Sequence, residues 1–340
     1  MITLSILSSI SFKEVITGIE LVDITGDGKD NLVMSTMGGD FRVYDFIMGD
    51  SIELKEIART SDLPPVASFG IGDVTGNGVP DFVVGGLDNT VRVIIFDDGK
   101  LSVKSSTPVG SLPTSLIVTN VMDDENAEVI IGTNDKVLRC YGWFDVALDK
   151  LAHKVVAQPI FSMQPLRSKG SPYARFVFGD ELGFLYVYQY ADDRLHELGK
   201  ITVKGEISII ATGNVTGDRH NEIVSVSNGN DLTLFDGKQN PPQILAKIKS
   251  PGSVTSVRIG KLVENCRSPG QLLISLGNSK VSILSFEGRE FFEEASIKTA
   301  PKSIESLVVF GDIDGDETYE IVQATGNSLY IISIDETDDA

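Results

Sequence analysis

Short acidic loops recur along the chain, and their residue types and spacing could bind a metal ion. Three segments show the pattern best, VDITGDGKDNLV from position 22, GDVTGNGVPDFV from position 72 and GDIDGDETYEIV from position 311. Each places carboxylate, amide or hydroxyl oxygens at alternate positions of a loop that contains glycine. Hard cations such as Ca²⁺ prefer several oxygen ligands of this kind. The same residue types also hydrogen-bond their own backbone in tight turns. The pattern therefore predicts either a cation site or a turn that needs no metal.

Known catalytic motifs are not evident in the sequence. His153, His196 and His220 occur singly, without a partner at the spacing of a zinc site or of a nucleophile and its base. No nucleophile elbow, phosphate-binding loop or dinucleotide fingerprint is present. A pair of glycosidase carboxylates stays open, because 48 acidic residues offer many pairs of unknown separation.

The acidic loops belong to a repeat, which must position them. Copies counted from the first acidic position, at Asp23, Asp73, Asn120, Asn214 and Asp312, lie about 48 residues apart or about twice that distance. Seven such units fit the 340 residues, two of them degenerate. The third apolar run of each unit supports this count, with starts near Phe41, Val91, Val137, Leu185, Leu232, Val281 and Leu329.

Each unit holds three or four short runs rich in Val, Ile, Leu, Phe and Tyr between Gly, Asn and Asp turns, a pattern typical of antiparallel strands. Seven four-stranded units predict an all-β, seven-bladed β-propeller, with a solenoid as the alternative. The last unit stops after its third strand, SLYIISI, whereas the chain opens with TLSILSSISFK, which has the length of a missing fourth strand. We expect residues 2–10 to pair with residues 329–333 and close the ring. The predicted domains are one propeller over residues 1–334 and an acidic tail over residues 335–340.

These units resemble the FG-GAP repeats of the integrin α-subunit propeller. The resemblance rests on FGIGDVTGNGVPDFVVG, VDITGDGKDNLVMS and VFGDIDGDETYEIV, and extends over about residues 1–334. It implies a seven-bladed propeller whose blades hold Ca²⁺ between their first two strands. The segments GNVTGDRHNEIVSV and VTSVRIGKLVENCRSPGQLLISLGNSKVSILSF also resemble the intracellular branch that includes a KICSTOR scaffold subunit and, more distantly, the BBSome propellers.

Carried onto this sequence, the family's loop pattern predicts calcium ligands in units one, two and seven. The predicted ligand side chains are Asp23, Thr25, Asp27 and Asn31, then Asp73, Thr75, Asn77 and Asp81, then Asp312, Asp314, Asp316 and Glu320. Glycine is favoured at the sixth loop position, where the chain turns sharply. Glu317 replaces it in unit seven and Arg219 in unit five, while Met122 removes an oxygen from unit three. Units three and five are therefore expected to bind weakly or not at all.

Composition limits the function. Lys and Arg number 29 against 48 Asp and Glu, which gives a net charge of −19, so nucleic acid and anionic lipid are poor partners. No apolar run reaches the roughly 18 residues of a membrane helix, no signal peptide is evident, and Cys140 and Cys266 make no disulfide framework. These features favour a cytoplasmic protein without membrane insertion.

The sequence favours a non-enzymatic protein–protein interaction scaffold whose partners are other protein chains in a multi-subunit complex. The alternative is a carbohydrate-binding or catalytic propeller with a site on the ring axis. Sugar-binding propellers use exposed aromatic platforms, and Trp143 is the chain's single tryptophan, which weighs against that alternative.

Overall fold

The computed structural model describes residues 2–49, 51–61, 63–122, 124–167, 174–300 and 306–336. These residues form 28 strands arranged as seven four-stranded antiparallel sheets. The strands are β1 Ile2–Ser11; in blade 1, β2 Ile16–Val22, β3 Asn31–Thr36, β4 Phe41–Ile47 and β5 Glu53–Thr60; in blade 2, β6 Val66–Gly72, β7 Asp81–Gly86, β8 Thr90–Asp97 and β9 Lys100–Pro108; in blade 3, β10 Pro113–Thr119, β11 Glu128–Thr133, β12 Val137–Phe144 and β13 Ala147–Val155; in blade 4, β14 Ser162–Leu166, β15 Arg175–Gly179, β16 Phe184–Ala191 and β17 Arg194–Thr202; in blade 5, β18 Ile207–Gly213, β19 Glu222–Ser227, β20 Asp231–Asp236 and β21 Gln243–Lys249; in blade 6, β22 Val254–Gly260, β23 Gln271–Leu276, β24 Lys280–Glu287 and β25 Glu290–Lys298; and in blade 7, β26 Ser306–Gly311, β27 Glu320–Thr325 and β28 Ser328–Glu336.

The predicted seven-bladed propeller is confirmed, and so is its closure by the N-terminal strand. Blade 7 has the order β1-β28-β27-β26, with Ser5 opposite Ser333 and Ile10 opposite Leu329. Third strands begin within one residue of their predicted starts. The predicted division between propeller and tail stays a prediction, because residues 337–340 lie outside the described residues. Asp335 and Glu336 belong to β28.

The apolar core lies between the blades. Successive side chains of a strand point to opposite faces of its sheet, so one strand serves two interfaces. In β3, Leu32 and Met34 pack with blade 7, whereas Val33 packs with Phe82 of blade 2. The second strand of every blade is buried along its whole length. Burial on both faces explains why these strands are mostly apolar instead of alternating with polar residues.

Every blade carries a β-bulge in its outer strand, a feature that the sequence analysis did not predict. The third and fourth strands slip by one residue at the same place in each sheet. The extra residues are Leu7, Ile57, Lys104, Leu151, Leu198, Leu245 and Glu294. A bulge bends its strand and increases the local twist, so its recurrence indicates that each outer strand is twisted in the same way.

The antiparallel order places the connections on two faces of the ring. The acidic-loop face carries the loops from first to second strands and the hairpins from third to fourth strands. The opposite face carries the turns from second to third strands and the links between blades. Within the described ranges, no helix is long and apolar enough to cross a membrane.

Candidate functional site

The first acid of each predicted loop organises the loop backbone. Both carboxylate oxygens of Asp23 accept backbone N–H groups, from Gly26 at 2.7 Å and from Gly28 at 2.8 Å. Asp73 and Asp312 accept bonds from their own loops in the same way. These carboxylates hold the turn by hydrogen bonding, as the metal-free alternative requires.

The sharp turn falls at the predicted sixth loop position. Gly28 and Gly78 adopt φ angles of 84° and 81° there, in the left-handed region. Glu317 in blade 7 and Arg219 in blade 5 adopt φ angles of 67° and 70° at the same place. A side chain with a Cβ costs about 1–2 kcal/mol in this conformation, so these two loops are strained.

In six of the seven blades, a buried side chain at the first residue of the second strand clamps the start of the preceding loop. Glu128 Oε2 accepts the backbone N–H groups of Val121, at 2.7 Å, and Met122, at 3.2 Å. The equivalent acceptors in the other blades are Asn31, Asp81, Glu222, Gln271 and Glu320. In blade 4 the position is Arg175, which instead donates to the Gly237 carbonyl at 2.9 Å.

This clamp gives three predicted metal ligands, Asn31, Asp81 and Glu320, a structural role. It is complete in blade 3, where Met122 interrupts the ligand pattern, and in blade 6, where the acceptor is the neutral amide of Gln271. The clamp therefore forms without the metal-binding pattern. The sequence analysis did not identify Gln271, because it considered only metal ligands. The position could have been found, since it is the first residue of each second strand.

Burial raises the pKa of the acidic side chains that act as clamps. It raises the pKa of Glu128 and of Glu320 to about 7 in each case, against the opposing effect of the backbone N–H groups that they accept. Burial also raises the pKa of Asp81 and Glu222. The cause is the desolvation of a charge, which favours the neutral acid.

Blade 7 brings three acidic side chains together. Among the residues described, Asp312, Asp314 and Glu320 each offer a carboxylate oxygen, and these atoms lie within 4.8 Å of one another. Burial, followed by the negative charge of Asp316, raises the pKa of Asp314. Asp316 stands outside the group and accepts bonds from Thr318 N at 2.8 Å and Thr318 Oγ1 at 2.6 Å. Three of the four predicted ligands of this loop thus converge.

In blades 1 and 2, the side chains of Asp27 and Asn77 hydrogen-bond their own loops. Asp27 Oδ1 accepts Lys29 N at 3.0 Å, and Asn77 Oδ1 accepts Val79 N at 2.8 Å. Thr25 lies exposed in the loop between β2 and β3. Thr75 is half-buried, and its backbone N–H donates to Asp81 at 2.7 Å. Metal binding by these two loops stays a prediction.

Hydrogen bonds join the loops of neighbouring blades. Asp30 N donates to the Asp312 carbonyl at 2.7 Å, and Asp312 N donates to Asp30 Oδ2 at 3.1 Å. Ala127 N makes the equivalent bond to the Asp73 carbonyl at 2.8 Å. The loop of blade 7 is therefore tied to the loop of blade 1.

The ring axis offers few groups for catalysis. The seven inner strands, all within the described residues, contain two ionisable side chains, Glu20 in β2 and Arg258 in β22. These two form an ion pair with each other. General acid–base chemistry requires a group that is free to exchange a proton with a substrate, and the inner strands provide no second acidic side chain for it.

Large apolar side chains are exposed on the opposite face. Met37 and Leu87, in the turns from second to third strands of the adjacent blades 1 and 2, are 57% and 53% exposed. Leu182 in the corresponding turn of blade 4 and Phe161 before β14 are also exposed. Exposed apolar groups are typical of protein-binding surfaces. The acidic-loop face also exposes apolar side chains, among them Phe144 and Val146.

Comparisons with known proteins identify the fold. No family model and no curated protein matches the chain. Two solved structures of BBS1N in complex with ARL6DN are similar over nearly the whole chain. The crystal soaked with mercury gives a TM-score of 0.72 at 11% identity, covering 99% of this chain and 98% of that chain. The crystal soaked with lead gives 0.73 at 10% identity, covering 96% of each chain. At this identity the likeness shows a shared β-propeller fold.

Proposed function

We propose that this protein is a non-enzymatic protein-interaction scaffold that binds partner chains through the opposite face of its ring. The observation that carries the proposal is the exposure of Met37 and Leu87 on that face. The inner strands support it, because their single acid and single base are paired. Structural similarity to BBS1N, a propeller crystallised with another protein, is consistent with it.

Further proposals concern the repeat family, the bound ion, the cellular environment and the charge of the partner. We propose that the chain is an FG-GAP-type propeller and that the blade 7 loop holds Ca²⁺ through Asp312, Asp314 and Glu320, whose oxygens converge. Both cysteines are free, which supports a reducing, cytoplasmic environment. The net charge of −19 favours basic protein surfaces over nucleic acid.

Affinity purification of the tagged full-length chain from its own cells tests the proposal. Replacing Met37 and Leu87 together with Asp should abolish recovery of a stoichiometric partner. Val146→Asp, at an exposed apolar residue in a hairpin of the acidic-loop face, is the matched control and should retain the partner. A substrate turnover that Glu20→Gln abolishes, with folding intact, would instead establish the catalytic alternative.

A further inference from the structure

The outer edge of blade 7 differs from every other blade edge in its charge. It is formed by β1, whose sequence ITLSILSSIS contains no charged residue. The outer strands of blades 1 to 6 each carry between two and four Lys, Arg, Asp or Glu residues. Charged side chains on an edge strand hinder its pairing with another strand. The edge of β1 lacks that protection.

The middle of this edge is apolar and exposed. Ile6 and Leu7 lie at the centre of the ten-residue strand and are 43% and 41% exposed. Leu7 is the bulge residue of blade 7. The apolar bulge residues of blades 1, 3, 4 and 5, by contrast, pack against interblade clusters. Leu7 therefore lacks the cover that its equivalents have.

Charge indicates which partner fits this edge. A chain with a net charge of −19 repels a second copy at its acidic surfaces, and repulsion is smallest where the surface is uncharged. A basic partner would gain nothing from an uncharged edge and would be drawn to the acidic faces. An uncharged strand is best matched by another uncharged strand, and the chain supplies one in each copy.

The ends of the strand are also complementary to each other in an antiparallel pair. The exposed Asp335 lies beside Thr3 at one end of β1, and Lys13 follows its other end. The neighbouring Glu336 carboxylate is already bonded to Glu264 N and Asn265 of its own chain. An antiparallel arrangement places the acidic end of one copy near Lys13 of the other. It also brings the central Ile6 and Leu7 of the two copies together on the two-fold axis, as a self-complementary interface requires.

We propose that two copies associate through antiparallel pairing of their β1 strands. The four strands of blade 7 from each ring then form one continuous eight-stranded sheet. The proposal concerns the blade edge, so it is independent of partner binding on the opposite face.

Sedimentation equilibrium of the full chain, from about 1 to about 100 μM, tests the proposal. We expect a monomer–dimer equilibrium for the natural protein. Leu7→Lys should weaken the dimer at least about tenfold, because it places like charges on the axis. The blade tolerates lysine at this position, since Lys104 is the bulge residue of blade 2. Leu182→Lys, the same change at an exposed leucine on the opposite face, should leave the dimer unchanged.

A mixture of Leu7→Lys and Leu7→Glu copies should form a heterodimer, because opposite charges then meet at the axis. Circular dichroism and thermal melting verify that each variant is folded. If Leu7→Lys does not fold, Ser9→Lys on the same exposed edge should also weaken the dimer, because a lysine on an edge strand hinders its pairing with another strand. A natural protein that stays monomeric throughout, even one whose β1 captures a peptide, would overturn the proposal. Equal dimerisation of the Leu7→Lys and Leu182→Lys variants would overturn it as well.

Discussion

The clamp of blade 3 allows a buried charge to be removed while its hydrogen bonds are kept. Glu128 is 2% exposed and accepts the backbone N–H groups of Val121 and Met122. Gln271 makes the same pair of bonds in blade 6, and its Nε2 donates to the Ser268 carbonyl at 2.7 Å. Glu128→Gln therefore copies an arrangement that the fold already contains.

The expected effect depends on pH. Burial raises the pKa of Glu128 from its ordinary 4.5 to about 7 in the folded protein. Its contribution to stability is therefore complete below pH 4.5 and is lost as the pH rises through 7. At 1.36 kcal/mol for each pKa unit, the loss is about 3 kcal/mol over the whole range. Between about pH 5.5 and about pH 8, away from the isoelectric point, it is about 2 kcal/mol.

Glutamine does not titrate, so the free energy of unfolding of Glu128→Gln should escape this loss. The free energy of unfolding of the variant, relative to that of the natural protein, should therefore rise by about 2 kcal/mol from about pH 5.5 to about pH 8. Urea unfolding at the two pH values measures the difference, in which the titration of Glu320, Asp81 and Glu222 cancels. Glu125→Gln removes an exposed charge from the same loop and should show little pH-dependent gain. A stability difference between the two proteins that is the same at both pH values would refute the reasoning. So would a variant that is less stable than the natural protein at the higher pH.

Three further predictions concern closure, metal and strain. Deleting residues 2–11 should lower the melting temperature sharply and promote association, because β28 becomes an exposed edge; a monomer that melts at the same temperature would contradict closure by β1. Millimolar Ca²⁺ should raise the melting temperature of a chelator-washed sample by mass action, and Asp312→Asn should reduce the shift while Asp149→Asn, in outer strand β13, should not. Equal shifts in both variants would exclude the blade 7 loop as the site. Glu317→Gly should raise the free energy of unfolding by about 1 kcal/mol by relieving its left-handed conformation, whereas Glu53→Gly in β5 should lower it; both are measured by urea unfolding.

The fold could be predicted from the sequence because its signals are local and repeated. Apolar runs at a constant spacing specify strands, and seven copies specify the number of blades. The absence of a fourth strand after SLYIISI predicted residues 2–10 as its replacement, since the unit would otherwise be incomplete, and the structure has this strand at Ile2–Ser11. The bulges left no such signal, because one extra residue in a strand does not disturb a spacing of about 48 residues.

The candidate site was less predictable, because the same letters suit a metal ligand and a turn. Asp314 and Asp316 are chemically identical, yet Asp314 joins the acidic group and Asp316 bonds to Thr318. That difference arises from the loop conformation, in which Glu317 adopts a left-handed φ.

The sequence by itself determined the repeat, the number of blades and the strand that closes the ring. Only the tertiary structure decided what individual side chains do within that frame. Glu128 and Gln271 act alike as clamps because both are buried beside the same two backbone N–H groups. Leu7 is exposed while Leu151 is covered, although both are bulge leucines. The spacing of apolar residues is a property of the sequence itself. Burial and hydrogen bonding depend on which other segments pack against a residue in the folded protein.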